Sequence, residues 1–262
     1  ALRLARSMSW LPRATGPLVR RALSLLPHSD RYMSLQFRLC QLSHGFGHPP
    51  DHQPFLWMGS FAPEDKIWLT TEDFRHRVGS ARWHAPVDYW LDGTSLHSIE
   101  RHQRTMMGTY LADDILAKVD RASMYNSLEV RSPLLAHEVV SFALALPPEA
   151  KMNGLRTKSL LKKVARRYFP RNLVERTKHG FAPPLAAMLR GPMRQMIEDE
   201  ILAPANPLAP WFDRTQLARL LSEHMSNRFD HRKKIWNLFH LFRFGRVIAE
   251  KPFALASASA RA

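Results

Sequence analysis

Residues Leu116 to Leu135 read LAKVDRASMYNSLEVRSPLL. Lys118, Asp120, Arg121, Glu129 and Arg131 stand there among small and apolar residues. A core segment does not carry five charges, because an unpaired charge loses its hydration on burial. A fully solvated segment is not this rich in leucine, valine and methionine. The mixture asks for an element that meets two different environments.

The rest of the composition sets the bounds. The chain has 262 residues, 45% of them hydrophobic, enough for one large domain or two small ones with a real core. Cys40 is the single cysteine, which excludes an internal disulfide and a thiolate metal cluster. The expectation is an intracellular, cytoplasmic protein. No apolar run approaches the length of a membrane span, so no membrane partner is expected. Thirty-eight basic residues against 23 acidic ones give +15, an affinity for polyanions or phosphate ligands. The first 29 residues contain arginine but no acid, which superficially matches a targeting peptide. The sequence opens on Ala1 and not on Met, and further sequence is expected before it.

Along the chain the apolar spacing is mostly helical. Residues 13–29 and 30–43 carry such spacing, whereas HGFGHPPDHQP is a loop on its Gly and Pro content. On a helix, His44, His48 and His52 would share one face; Gly and Pro forbid that helix, so no metal site is expected there. SFAPEDKIWLTTEDF has Pro and acids placed for a helix start. SLHSIERHQRTMMGTYL reads as a helix, and LADDILAKVDRASM follows with Leu111, Ile115, Val119 and Ala122 on one stripe. Asp114 and Lys118 form a favourable i,i+4 pair. EVVSFALALPPEA reads as a short buried helix ended by Pro147 and Pro148. TKSLLKKVARRYFP puts Leu160, Leu161, Val164 and Tyr168 on one face and Lys162, Lys163, Arg166 and Arg167 on the other. Strand-like runs are few, so a mainly α chain is expected. ALASASARA reads as a low-complexity tail.

Several familiar sites are missing. No two of the 11 glycines are adjacent, and no G-x-x-x-x-G-K-[ST], H-E-x-x-H or G-x-S-x-G occurs. What remains, beside the opening segment, is ERTKHGFAPPLAAMLRG, Glu175 to Gly191. Lys178 precedes His179-Gly180-Phe181 and a Pro-Pro step there. A lysine held by such a turn suits phosphate oxygens, although the commoner meaning of that spacing is a surface lysine in a loop.

Together the two segments resemble the asparagine synthetase (glutamine-hydrolysing) family. The carrying residues are TYLADDILAKVDRASMYNSLEVRSPLL, ALALPPEAKMNGLRTKSLLKK and FPRNLVERTKHGFAPPLAAMLRG, with a weaker continuation in LLSEHMSNRFDHRKKIWNLFHLFRF. The clear match runs from Thr109 to Gly191 and the weak one to about Gly245. Residues 1–108 match loosely as a helical segment of the synthetase domain, 109–245 form its C-terminal region with the motifs, and 246–262 are the tail.

The resemblance implies the C-terminal helical portion of an α/β PP-loop ATP pyrophosphatase-type synthetase domain. In the family an N-terminal glutaminase frees ammonia from glutamine. The synthetase uses ATP with Mg2+ to turn a carboxylate into its acyl-adenylate, and ammonia then gives an amide, AMP and pyrophosphate. Aspartate is the expected acceptor. The opening mixture then has a use, as a helix beneath a nucleotide cleft with an apolar back and a charged front. The resemblance places Asp114, Asp120, Arg121, Glu129 and Arg131 at or beside that cleft, with Gly180 and Phe181. Lys178 matches the lysine that contacts the phosphates. The alternative for the charged positions is a buried ion-pair network that shapes the cleft without touching ligand.

The departures are specific. The Ser-Gly-Gly-x-Asp-Ser loop, the Gly-Ala-Asp-Glu segment and the glutaminase are absent, so the chain reads as a C-terminal fragment, inactive alone, with most of the ATP and Mg2+ contacts upstream. Met106 stands where many relatives have Asp four residues before the Tyr of TYL. Ala136 replaces the aspartate of PLLD, a helix cap whose loss costs about 1 kcal/mol. Three readings compete with aspartate amidation. One is amidation of another carboxylate, as in the relatives found with exopolysaccharide genes. Another is a catalytically dead relative. The third is a basic nucleic-acid-binding module, favoured by KKVARR and HRKK but lacking any DNA or RNA motif. A homodimer is left open.

Overall fold

A computed structural model of the chain describes residues 10–12, 15–23, 34–79, 82–154, 156–176 and 183–250. The described residues are mainly helical and divide into two compact units. Residues up to Trp83, together with those from Ala182 onward, make the first; His84–Phe181 make the second. This division falls away from position 108, where the family resemblance sharpens.

In the first unit the N-terminal helices are α1 (Thr15–Leu23), α2 (Leu35–Ser43), α3 (Gln53–Met58), α4 (Pro63–Leu69) and α5 (Glu72–Val78). The loop expected over 44–52 is a run of turns, with His44 and His48 buried in it. Pro63 starts α4, and Asp65 reaches back to accept from the Ala62 amide at 2.8 Å, so the acids expected at this start do cap it. The C-terminal helices are α13 (Leu185–Arg190), α14 (Arg194–Ile201), α15 (Arg214–Met225) and α16 (Arg232–Glu250). Residues 246–250, read from sequence as tail, continue α16, and 251–262 lie outside the described residues.

Apolar spacing builds the core. Helix α16 buries Ile235, Leu238, Phe239 and Phe242, the i, i+3, i+4, i+7 stripe. These pack with Leu217, Leu220 and Leu221 of α15, Ile197 and Ile201 of α14, Leu189 of α13 and Leu69 of α4. The two ends of the chain also meet through main chain: Asp213 donates to the Leu69 carbonyl at 2.9 Å and Thr71 to that of Trp211 at 3.0 Å. Charge joins them as well, since Lys234 Nζ lies 2.8 Å from the buried Asp65 carboxylate. Burial pushes Asp65 toward its protonated form, but the charge and hydrogen bond of Lys234 outweigh this and hold it below the usual range.

In α15 the fourth member of the buried stripe is His224, fully enclosed. Its Nδ1 accepts from the His231 amide at 3.3 Å, which leaves the buried Nε2 without a partner among the described residues. Burial lowers the His224 pKa to about 4. Burial first, then the charge of Arg20, takes His44 to about 4 as well.

The second unit contains α6 (Ala85–Leu91), α7 (Ser98–Met106), a π-helix (Met107–Leu116) and α8 (Ala117–Tyr125) in sequence. After the 3-10 turn Pro133–Leu135 come α9 (His137–Ala145), α10 (Pro148–Lys151), a two-stranded hairpin of β1 (Met152–Asn153) and β2 (Arg156–Thr157), α11 (Ser159–Ala165) and α12 (Arg171–Val174). The widened π turns follow from local chemistry. The hydroxyl of Thr105 donates to the carbonyl of Arg101 at 3.0 Å, and that of Thr109 to the carbonyl of Thr105 at 2.7 Å. Such back-bonding loosens the α ladder. At Gly108 the indole of Trp90 comes so close that an added Cβ would lie 2.0 Å from it.

Two measurements follow from these packings. Gly108→Ala gains about 1 kcal/mol of helix propensity but must displace Trp90, and overpacking costs about 1–3 kcal/mol; a lower melting temperature is expected, and an unchanged or higher one refutes the contact. His224 binds a proton near pH 6.5 when unfolded and near pH 4 when folded. The stability it contributes is therefore complete above pH 6.5 and is lost as pH falls from 6.5 to 4, on the order of 3 kcal/mol in full. Melting temperatures measured across that range should fall steeply, and less steeply in His224→Gln.

Candidate functional site

The segment from Met107 to Leu135 enters as the π-helix, continues as α8, and leaves by an extended stretch into the 3-10 turn. Asn126 ends α8, and its side chain donates to the Ala122 carbonyl at 2.9 Å. Ser127 then takes a left-handed conformation at φ 56° and turns the chain toward Glu129 and Arg131.

The charged residues of this segment are all exposed. Asp114 lies 3.6 Å from Lys118, the expected i,i+4 pair, which spans the junction of π-helix and α8. Arg131 Nε donates to Glu129 at 2.5 Å. Asp120 and Arg121 have no side-chain partner among the described residues. The buried ion-pair network considered from sequence is therefore not what these residues form. They present solvated charge along one segment, with Asp114 in the π-helix, the adjacent Asp120 and Arg121 in α8, and Glu129 and Arg131 on the extended stretch.

The apolar back of the segment is exposed too. Tyr125 is 91% exposed and Leu134 60%, and Val119, Met124, Leu128 and Val130 are exposed as well. Helix α9, expected to be buried, is not: Phe142 is 60% exposed, with Val139 and Leu144 also open to solvent. The same holds for the Leu161, Val164 and Tyr168 face of α11 and its following turn. The sequence spacing gives the apolar faces correctly, but no described residue of the chain covers them. Hydrophobic area of this extent on one unit marks an interaction surface.

Lys178, Gly180 and Phe181 lie outside the described residues. The approach to them is defined as far as Glu175, just after α12. Lys162 Nζ lies 3.2 Å from the Glu175 carboxylate and Arg166 hydrogen-bonds to it. Arg166, then Lys162, hold the Glu175 carboxyl below its ordinary range. Sequence patterning read Lys162 and Arg166 as a plain solvated face. The pairing with Glu175, 13 and nine residues away, was not visible there, although Lys162 and Glu175 fall inside the quoted motifs and Arg166 in the short stretch between them. It ties α11 to the start of the lysine segment.

With this arrangement in view the comparisons are unambiguous about kinship. The family model for asparagine synthase matches residues 8–249. The chain belongs to the asparagine synthase family. It is 28% identical over 165 residues to asparagine synthetase [glutamine-hydrolyzing] 1 of Bacillus subtilis, covering 63% of this chain and 26% of that protein. It is 29% identical over 167 residues to a putative asparagine synthetase [glutamine-hydrolyzing] of Mycobacterium tuberculosis, covering 63% and 25%. Asparagine synthetase [glutamine-hydrolyzing] 3 of B. subtilis is 33% identical over 132 residues, covering 47% and 21%. The chain thus spans about a quarter of the length of these relatives. No solved structure gives a significant match. No helix among the described residues is long and apolar enough to cross a membrane.

Ala136, at the position of the family's PLLD aspartate, is the N-cap of α9, and no side chain caps that helix. Ala136→Asp should therefore stabilise the chain by about 1 kcal/mol, raising the melting temperature by a few degrees. A variant that melts at or below the parent temperature would show that the cap geometry is wrong.

Proposed function

We propose that the chain supplies the C-terminal helical part of an ATP-dependent, glutamine-dependent amide ligase whose acceptor is the side-chain carboxylate of aspartate. The observation that carries this reading is the family match over 8–249, joined to a solvated row of family-motif charges at Asp114–Arg131. The exposed apolar faces of the second unit support the rest of the reading. A unit that leaves Leu134, Phe142 and Tyr125 in water needs a cover, and the PP-loop layer and glutaminase of a longer polypeptide would provide it.

In this reading the acceptor carboxylate attacks the α-phosphorus of ATP and pyrophosphate leaves. Ammonia from glutamine then attacks the acyl-adenylate carbonyl, and AMP departs with the carboxylate oxygen. Negative charge accumulates on the phosphoryl oxygens in the first step. Lys178 would stabilise that charge with its ammonium group. Arg121 and Arg131 would draw the polyanion to the charged face, with Glu129 orienting Arg131. Within each unit taken alone, the described residues hold no three His, Cys, Asp or Glu ligand atoms close enough for one ion. Among the described residues of either unit no carboxylate set fits a Mg2+ site, and in this reading the metal of ATP would be held by residues of a longer polypeptide.

A second acceptor is favoured by one residue. Met106 closes α7 just before the π-helix, where many relatives carry Asp. A thioether cannot accept the hydrogen bonds of a carboxylate, so amidation of a different carboxylate is the alternative.

Lys178→Ala in the complete enzyme should lower kcat for amide formation by about 10²–10³-fold, as removal of one charge-stabilising donor does, with the melting temperature nearly unchanged. Near-normal turnover would refute the role of Lys178. Pyrophosphate release stimulated by another carboxylate and not by aspartate would keep the ligase and replace its acceptor.

A further inference from the structure

The first unit carries a groove of about 890 Å³ that the ligase reading does not use. Arg20 and Arg21 of α1, Arg219 of α15, Arg228 and Lys234 line it, against the carboxylates of Asp65 and Glu223. Five cations therefore face two anions, and both anions are engaged. Glu223 holds Arg219 at 3.0 Å and His231 at 2.8 Å. Asp65 holds Lys234. Arg20 and Arg228 meet no carboxylate among the described residues. Arg20 reaches only the Ser43 hydroxyl, at 3.4 Å, and Arg228 sits 5.9 Å over the Phe229 ring.

The positions of these groups are set by backbone. Helix α15 ends in a Schellman motif. Asn227 stands at φ 58° and donates to the His224 carbonyl at 3.0 Å, and Arg228 donates to that of Glu223 at 2.9 Å. This turn holds Arg228 and Phe229 at the rim. Trp68, fixed by its indole N–H to Asp65 at 3.3 Å, gives an aromatic wall. A second cavity of about 100 Å³ shares Arg20, Phe229, His231 and Lys234 with the groove. His44 lines that cavity, buried, with an Nδ1 that has no partner among the described residues. Burial keeps His231 in its neutral form, so the excess charge rests on the arginines and Lys234.

We propose that this groove binds the phosphate group of a small phosphate-bearing ligand, clamped between Arg20 and Arg228. Guanidinium groups match phosphate oxygens two at a time. The volume is that of a small-molecule site, with apolar and aromatic walls around a few convergent polar groups. The site goes beyond the ligase reading, because none of its residues is among the charges that reading uses, although Glu223, Arg228 and Lys234 stand in the weaker family continuation.

The test is calorimetric titration of the full chain with inorganic pyrophosphate at constant ionic strength. One site per chain is expected. Arg20→Met and Arg228→Met, which keep the apolar stems, should each weaken binding about tenfold or more. Arg228→Lys should fall between, since it keeps the charge and loses the fork; it also serves if the methionine variant fails to fold. Arg214→Met, at an exposed position outside the groove, should leave the Kd unchanged. The proposal is overturned by absent binding, or by equal weakening in Arg214→Met, which would mean general charge attraction. It is also overturned if Lys178→Ala abolishes the binding, which would place pyrophosphate at the ligase segment. Tight binding of duplex DNA through Arg20 and Arg228, with no uptake of pyrophosphate, would replace it with a nucleic-acid surface.

Discussion

The hydrogen bonds between Leu69–Thr71 and Trp211–Asp213 hold the two halves of the first unit together. Thr71 and Pro210, which are hydrogen-bonded, stand 139 positions apart. Closing a loop of that length costs conformational entropy, although the cost grows only with the logarithm of length. The closure is offset by the core that α4 shares with α13 to α16 and by the buried Asp65–Lys234 pair. The pair holds only as long as both partners are present, because either one left alone would be an unmatched buried charge. Everything from His84 to Phe181 is then an insertion between two halves of one folded unit.

The two units use their apolar residues differently. The first buries Ile235, Leu238 and Phe242 against Leu217, Leu220 and Ile197, the ordinary economy of helix packing. The second carries equally apolar helices whose faces stay in solvent, in the segment where the family motifs are densest. Exposed apolar faces of this extent mark an interaction surface, and nothing among the described residues covers them. Asp120 and Arg121 have no side-chain partner among the described residues, and both stay in solvent.

The histidines show how burial decides chemistry. His44, His48 and His224 look alike in the sequence. His224 occupies a core stripe position and is held neutral, and the equally buried His48 lies 3.8 Å from the Glu64 carboxylate. His231 gives Glu223 a hydrogen bond that, with Arg219, lowers that carboxyl to about 2. The ring nitrogens are the same in each case; the dielectric and the neighbours differ.

The sequence by itself determined the helices, their apolar faces and the family. Helical spacing recurs locally, the Pro63 start and the Asp114–Lys118 pair are local, and motif order survives without a structure. It also placed Ala136 at a helix start, because capping involves neighbours in sequence. Only the tertiary structure decided what covers each face. Hydrophobic spacing says that Phe142 and Tyr168 belong on an apolar face, but burial depends on the partner surface, and the described residues do not bring one. The Glu175 tether, the joining of 69–71 to 211–213 and the basic groove around Arg20 and Arg228 were equally illegible. Each depends on contacts between residues far apart in sequence, and the spacing of residues along a chain carries no record of such distances.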